Sequence, residues 1–211
     1  MNTQVVKLNS SLIPEIKSRL KAGEVIILPT DTVYALVANG NDTEAVTRLR
    51  QIKNFSSPQP LGIFTCKEKA EQVVEVDRPA LQMMDHFPYP VTMIMRAKST
   101  VSKAVTNGFK NVFVTCPDKF IYDLIMEIPF PMVATSAAFA GIQATNAKLA
   151  VKFFGDKVDL IVDGGESKHG RSGTLVDFTV EVPTIMTYGT VSVDDLRPLL
   201  SQIVLPSHMM K

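Results

Sequence analysis

Runs of apolar residues bounded by turn-forming residues give the first indication of structure in this chain. The segment 24–29, EVIILP, is apolar from Val25 to Leu28 and stops at Pro29, which predicts a buried strand that ends where proline removes a backbone donor. Before that segment, apolar residues recur at helical spacing between Leu12 and Leu20, which predicts a helix over 10–22. A helix and a strand in such close succession are typical of a sheet that carries helices on its faces.

The same two patterns continue along the chain. They predict further helices over 42–53, 67–74, 78–86, 119–128, 144–154 and 193–200. They predict further strands over 61–66, 91–96, 112–115, 132–135, 160–162, 174–178 and 184–186. Helices and strands interleave without a strict βαβ order, so we expect an α/β fold with a twisted mixed sheet. No shift in composition marks a linker, and a single domain over 1–211 is expected.

Composition and charge narrow the class of protein without identifying a function. The 211 residues are 45% hydrophobic and 20% charged, which is typical of a packed globular protein. The formal net charge of +1 gives no overall field to steer nucleic acid, although a local basic patch is compatible with it. The sequence has neither a signal-peptide pattern nor an apolar run long enough to span a bilayer. We therefore expect a cytoplasmic protein with no membrane association.

Several familiar kinds of site find little support. Cys66 and Cys116 are far apart and belong to no CxxC pair, so no metal site is expected. Free thiols in a reducing compartment are favoured, with a single disulfide as the alternative. His86, His169 and His208 are scattered and suggest no catalytic triad. Walker and GxGxxG spacings are absent.

Two segments place polar groups where ligands bind in α/β proteins. The sequence PTDTVY at 29–34 follows a buried strand and carries two hydroxyls, a carboxylate and a phenol. A capped turn is the structural alternative for this segment. Lys53 ends a predicted helix that also carries Arg48 and Arg50, and these cations suit an anionic ligand. A solvated helix end is the alternative there, because cations are favourable at helix C-termini.

Two further segments are rich in small residues. Residues 135–141, with the sequence TSAAFAG, follow a predicted strand and would let a ligand approach the backbone. Close packing of a helix on the sheet is the alternative. The glycines and hydroxyls of 163–165 and 169–174 could surround a phosphate, although a flexible surface loop is the more common explanation of such a segment.

These four segments occur in the order and spacing of the YrdC-like family, also called the TsaC or YciO family, which this chain resembles. The most specific part of the resemblance is the sequence GEVIILPTDTVY at 23–34. Further positions that match the family are Lys53, Pro60, Leu61, Pro90, Thr92, Pro117, Asp118, Ala134, Thr135, Ser136, Ala137, Gly141, Asp163, Gly164, Thr174 and Asp177. The resemblance implies a YrdC-like twisted sheet with a concave, positively charged cavity.

The resemblance also implies an activity. Catalytic members of the family use ATP, L-threonine and bicarbonate with Mg²⁺, release pyrophosphate and form threonylcarbamoyl-AMP for tRNA modification. Some members bind double-stranded RNA. Chemistry of this phosphoryl-transfer type depends mostly on positioning and on neutralising charge.

Site residues follow from the resemblance position by position. Thr32 and Tyr34 would hold threonine, and Lys53 would be the catalytic residue that meets the nucleotide phosphates. The nucleotide would also contact the side chains of Thr135, Ser136 and Thr174.

The chain departs from the family pattern where the family has phosphate-binding groups. Phe55, Thr115 and Thr187 stand where the family has arginine, Ala138 replaces an asparagine, and Gly173 replaces a serine. A hydrogen bond from a charged donor contributes about 1.5–3 kcal/mol, so three lost arginines would leave a triphosphate poorly neutralised. The cations that could compensate are Arg48, Arg50 and Arg171.

Two hypotheses follow from the kept and lost positions. The first is a threonylcarbamoyl-AMP synthase-like enzyme. The second is a non-catalytic YrdC-like module that binds a nucleotide, a small metabolite or RNA. The sequence leaves open whether the protein is a monomer or a homodimer.

Overall fold

A computed structural model describes residues 3–205, so His208 lies outside the described residues. The α-helices are α1 (Ile13–Lys21), α2 (Thr43–Lys53), α3 (Lys67–Ala70), α4 (Arg78–Met84), α5 (Lys103–Thr106), α6 (Lys119–Glu127), α7 (Ala147–Phe154) and α8 (Val193–Leu196). The strands are β1 (Gln4–Lys7), β2 (Ile26–Leu28), β3 (Ala35–Asn39), β4 (Gly62–Phe64), β5 (Tyr89–Arg96), β6 (Asn111–Cys116), β7 (Met132–Ser136), β8 (Ala138–Phe139), β9 (Ile142–Gln143), β10 (Leu160–Asp163), β11 (Thr174–Asp177) and β12 (Thr184–Thr187). Within residues 3–205, no helix is both long and apolar enough to cross a bilayer.

Ten of the strands form one mixed sheet in the order β1-β10-β2-β3-β7-β4-β6-β5-β11-β12. The pairs β1–β10, β10–β2, β4–β6 and β5–β11 are parallel. The other neighbours, including β2–β3 and β3–β7, are antiparallel. Strands β8 and β9 form a separate small hairpin. The predicted α/β fold with a mixed sheet is confirmed.

Two hydrophobic clusters cover the two faces of the sheet. Neighbouring side chains of β2 point to opposite faces, so Ile27 joins one cluster while Ile26 and Leu28 join the other. Helices α2, α4 and α7 pack on the face of Ile27, and α1 and α6 pack on the opposite face. Cys66 and Cys116 are buried and carry free thiols, as expected.

A side-chain cap explains where the longest helix, α2, begins. The Asp42 carboxylate accepts hydrogen bonds from the backbone of Glu44 and Ala45, which fixes the start of α2. Asn54 ends that helix in the left-handed conformation that asparagine tolerates. The predicted helices exist, and their ends coincide with the observed ones or differ by up to four residues.

Some elements were not expected from the sequence. Strand β3 is a short apolar run that is buried throughout, so it shows no alternation to distinguish it from the preceding loop. Strand β1 is mostly exposed and exists because it pairs with β10, far away along the chain. The α5 turn and the β8–β9 hairpin are too short to produce a periodic pattern.

Arg50 connects the last turns of α2 to two neighbouring segments. Its guanidinium donates hydrogen bonds to the backbone carbonyls of Ala104, Val105 and Gln59 at 2.7, 2.9 and 3.0 Å. Burial lowers the pKa of the Arg50 guanidinium. Three carbonyls therefore share one charged donor, and the side chain fixes the end of α2 against the α5 region.

Replacing Arg50 with methionine is expected to destabilise the fold by about 2 kcal/mol, because three carbonyls lose a charged donor while the apolar stem is kept. Chemical denaturation of Arg50→Met and the unaltered protein measures the difference. Arg78→Met is the matched control, because Arg78 is exposed on α4 and its loss should change stability by less than about 0.5 kcal/mol. Equal stability of all three proteins would contradict this role for Arg50.

Candidate functional site

The loop that joins β2 to β3 is a compact network of hydroxyl groups. The Thr30 hydroxyl donates to the carbonyl of Val33 at 2.7 Å and accepts from the backbone N–H groups of Thr32 and Val33. A hydroxyl has one proton, so the 2.8 Å contact between the two threonine hydroxyls must be donated by Thr32. The lone pairs of the Thr32 oxygen are therefore left as an acceptor for a ligand.

The small-residue turn lies against this loop because β3 and β7 are paired. Ala35 is opposite Ser136 in the register, and Leu36 is opposite Thr135. The Ala137 N–H then donates to the carbonyl of Tyr34 at 2.7 Å, so the two segments remain joined beyond the strands. Two segments far apart in sequence are thus held together at the same edge of the sheet.

A cavity of about 180 Å³ lies between these segments. Its walls combine threonine and serine hydroxyls with three phenylalanine rings. The lining residues are Thr30, Thr32, Val33, Ala35, Phe55, Gln59, Pro60, Gly62, Phe64, Thr92, Phe113, Thr115, Pro117, Ala134, Thr135, Ser136, Ser172 and Gly173. None of these residues carries a charge, so the expectation of a positively charged cavity is wrong for the cavity wall itself.

Lys53 lies behind the small-residue turn. Its ammonium donates to the carbonyl of Ser136 at 2.8 Å and to that of Ala138 at 3.3 Å. Burial lowers the pKa of the Lys53 ammonium. The structure therefore brings Lys53 together with the predicted Ser136 and Thr135, but it places the ammonium beside the cavity wall rather than in it.

Tyr34 lies elsewhere, contrary to the expectation that it contacts the same ligand as Thr32. The Tyr34 side chain is fully buried, its hydroxyl donates to the carbonyl of Gly165 at 2.8 Å, and it accepts from the N–H of Gly164 at 3.0 Å. Burial raises the pKa of the Tyr34 hydroxyl. The phenol is therefore fully used in fixing the 164–165 loop, on a different side of the 29–34 loop from the cavity.

Thr174 is also structural rather than part of the cavity wall. It is fully buried, and its hydroxyl donates to the carbonyl of Val191 and accepts from the N–H groups of Gly189 and Val191. Its hydrogen-bonding capacity is thus consumed. The structure does not place Thr174 in the cavity wall, which Ser172 from the same segment lines instead.

The three arginines expected to compensate do not line the cavity. Arg48 forms an ion pair with Asp159 at 2.6 Å. The Asp159 carboxylate also accepts a hydrogen bond from the N–H of Val25, which precedes β2. The ion pair therefore lies at the start of β2, whereas the cavity lies beyond the end of that strand. Arg50 is bound to the three carbonyls described above. Arg171 is exposed, and the cavity is lined by the two residues that follow it rather than by its own side chain.

The positions that depart from the family pattern have separate structural consequences. Phe55 and Thr115 line the cavity, where Thr115 donates its hydroxyl proton to the carbonyl of Val91 at 2.8 Å. Thr187 is exposed on the edge strand β12. At Gly173 a side chain would have no room, because a Cβ atom would lie 2.5 Å from the Pro90 carbonyl oxygen.

Asp118 supports the loop from beneath. Its buried carboxylate caps α6 through the N–H of Ile121 and also accepts from the N–H of Asp31, at 2.9 and 3.0 Å. Burial raises the pKa of the Asp118 carboxyl group. The matched motif positions Pro117 and Asp118 thus help to hold the 29–34 loop at the cavity.

Sequence reasoning did not assign several residues to the cavity wall, although Thr92 matches the family pattern and Thr115 departs from it. Thr92 and Phe113, together with Thr115, lie on strands whose side chains alternate between buried and half-buried. The half-buried positions face the cavity, so the alternation was a usable signal. Gln59 lies in a loop, where no pattern in the sequence indicates which side chains face the cavity.

The structure offers little for a divalent metal. Among residues 3–205, no group of three or more His, Cys, Asp or Glu side chains is arranged to hold an ion. Magnesium sites commonly use one or two carboxylates in addition to phosphates, and the cavity lining contains none. These residues therefore do not form a magnesium site of their own.

Comparison with characterised proteins places this geometry in a family. The family model for Sua5, YciO and YrdC proteins, described as telomere recombination, matches residues 18–189. A threonylcarbamoyl-AMP synthase of Pyrococcus abyssi is 28% identical over 189 residues, which are 87% of this chain and 56% of that protein. The enzyme of the same name from Bacillus subtilis is 27% identical over 209 residues, covering 95% of this chain and 60% of that protein. The chain thus spans little more than half the length of these relatives.

Solved structures show the same fold. A crystal structure of P. abyssi Sua5 complexed with L-threonine has a TM-score of 0.85 at 25% identity, covering 97% of this chain and 62% of that one. The crystal structure of E. coli YciO has a TM-score of 0.77 at 22% identity, covering 94% of this chain and 98% of that one. With a family model that matches most of its length and the 29–34, 53 and 134–137 motifs in place, this chain belongs to the Sua5/YciO/YrdC family.

Proposed function

We propose that this protein is a threonylcarbamoyl-AMP synthase that forms L-threonylcarbamoyl adenylate from ATP, L-threonine and bicarbonate. The observation that carries the proposal is that Thr32 and Ser136 line one cavity while Lys53 binds the Ser136 carbonyl from behind its wall, although the three residues belong to separate segments. The names of the relatives and the threonine complex of P. abyssi Sua5 support the same choice of substrates. The adenylate would then serve the threonylcarbamoyladenosine modification of tRNA.

The reaction joins three substrates in two steps. The threonine amine attacks bicarbonate to form a carbamate with loss of water. A carbamate oxygen then attacks the α-phosphorus of ATP, where the new P–O bond forms as the bond to pyrophosphate breaks. Bringing these reactants together in one cavity supplies much of the rate enhancement, because it replaces encounters between separate molecules.

Each group at the site has a role in this reaction. The free lone pairs of Thr32 accept a hydrogen bond from the amine or hydroxyl of threonine. The hydroxyls of Thr135 and Ser136 line the wall where the nucleotide would lie, beside the backbone of the small-residue turn. Lys53 adds positive charge behind that wall, close to where charge accumulates on phosphate oxygens. Magnesium would enter with the ATP phosphates, since the cavity wall supplies no carboxylate.

Incubation with ATP, L-threonine and ¹⁴C-bicarbonate is expected to give labelled threonylcarbamoyl-AMP and equimolar pyrophosphate. Lys53→Ala should lower the rate about 100-fold, as expected for removing a group that stabilises developing charge. Lys17→Ala is the matched control, because Lys17 lies on α1, outside the cavity, and should keep full activity. Circular dichroism confirms that both variants fold. An unaltered protein that makes no adenylate would refute the proposal.

A non-catalytic nucleotide- or RNA-binding module is the second candidate. The absence of any charged side chain among the cavity-lining residues favours it, because triphosphates are normally bound by several cations. Such a module could bind AMP or RNA on the same scaffold without turnover.

Calorimetric titration separates the two candidates. For the enzyme, we expect ATP and L-threonine to bind with micromolar to millimolar dissociation constants, and Lys53→Ala to weaken ATP about 10-fold or more while threonine binding is unchanged. For the module, we expect AMP to bind as tightly as ATP, or RNA to bind with steep salt dependence. ATP binding stronger than AMP binding and sensitive to Lys53 would contradict the module.

A further inference from the structure

A second hollow adjoins the cavity on the other side of Phe55 and Gln59. It is open, has a volume of about 690 Å³, and shares both of these residues with the cavity wall. Its walls are the end of α2, the tip of the β8–β9 hairpin and Lys157, which follows α7. The two spaces therefore lie next to each other and share part of their walls.

The hollow carries the positive charge that the cavity lacks. Lys53 and Lys157 are its charged lining residues, and no carboxylate is among them. Both lysines contact the same short strand: Lys53 donates to the carbonyl of Ala138, and the ammonium of Lys157 lies 5.5 Å from the ring centroid of Phe139. Two cations are thus held close together by one hairpin.

Both ammonium groups retain donors for a ligand. Lys53 has three N–H donors, and its two hydrogen bonds within residues 3–205 leave one. Lys157 is exposed, and its ammonium makes one long hydrogen bond of 3.5 Å, to the carbonyl of Phe153. An anion could be bound here without breaking either lysine's existing contacts.

The size and charge of the two spaces suggest how they divide a ligand. Ligand sites for molecules of nucleotide size commonly measure about 300–1,000 Å³, which the cavity of about 180 Å³ does not reach alone. The neutral, hydroxyl-lined cavity suits uncharged or zwitterionic groups, and the hollow suits several negative charges. Arg48 and Arg50 are bound to other groups of the protein, so Lys157 is the second cation placed to contact the negative charges of a ligand.

We propose that the hollow between the end of α2 and the β8–β9 hairpin is a polyphosphate subsite in which Lys157 acts together with Lys53. For ATP as the ligand, this rests on the function proposed above. The binding of an inorganic polyphosphate to the subsite does not depend on that function.

Calorimetric titration of the whole chain with inorganic tripolyphosphate at low salt tests the subsite. Lys157→Gln should weaken binding about threefold to fivefold, the effect of removing one exposed cation, and should reduce its salt dependence. Lys152→Gln is the matched control, because Lys152 is exposed on α7, outside the hollow, and loses the same charge. AMP should bind equally well to all three proteins.

The outcomes separate this inference from the proposed activity. Weaker tripolyphosphate binding by Lys157→Gln, with binding by Lys152→Gln unchanged, supports the subsite even if the protein forms no adenylate. If the protein does form the adenylate but Lys157→Gln leaves tripolyphosphate binding and the KM for ATP unchanged, the subsite assignment fails alone. Equal weakening by Lys152→Gln would also overturn it, since a general charge effect would then explain both results.

Discussion

The ammonium of Lys53 is the interaction on which the arrangement of the site depends. It is half-buried, it holds the carbonyls of Ser136 and Ala138, and it comes from a helix on one face of the sheet. A buried ammonium is costly unless its donors are used, so these two carbonyls both keep the charge in place and fix the small-residue turn. One side chain therefore adds to the β3–β7 pairing that holds this wall and sets where positive charge is available behind it.

The rest of the site separates neutral contacts from charged ones. The cavity wall is built from hydroxyls and aromatic rings, with Thr32 left as an acceptor, while positive charge lies in the adjoining hollow. Phe55 stands between the two spaces, and the cations of Arg50 and Lys53 lie 5.8 and 5.9 Å from its ring centroid. Positive charge therefore lies at the border of the cavity rather than in its wall.

The sequence predicted the fold from its pattern of strands and helices. It also predicted the segments that meet at the cavity, because their polar motifs follow directly after predicted strands. It did not determine where individual side chains point. Tyr34 and Thr174 belong to matching motifs, yet both use their hydroxyls to bind loop backbone. Arg48 was close to Lys53 in sequence, but helical periodicity turns it towards Asp159.

The contributions that were missed depend on long-range contacts. Ser172 and Phe113 reach the cavity only because β11 and β6 take their places in the sheet, and no local pattern identifies that order. Lys157 acquires a role only when the hairpin at Ala138–Phe139 is placed beside it. The sequence therefore predicted which segments carry polar groups. Which residues surround the same cavity could be seen only in the folded structure.

The most direct test of this account is a two-dimensional ¹H–¹⁵N NMR titration of the labelled protein with L-threonine and then with ATP. We expect threonine to shift the amide resonances of Thr32 and Ser136, and ATP to add shifts at Phe55 and Ala138, which border the hollow. Shifts confined to the Gly165 loop beside Tyr34, or to the Asp159 end of the sheet, would contradict the account.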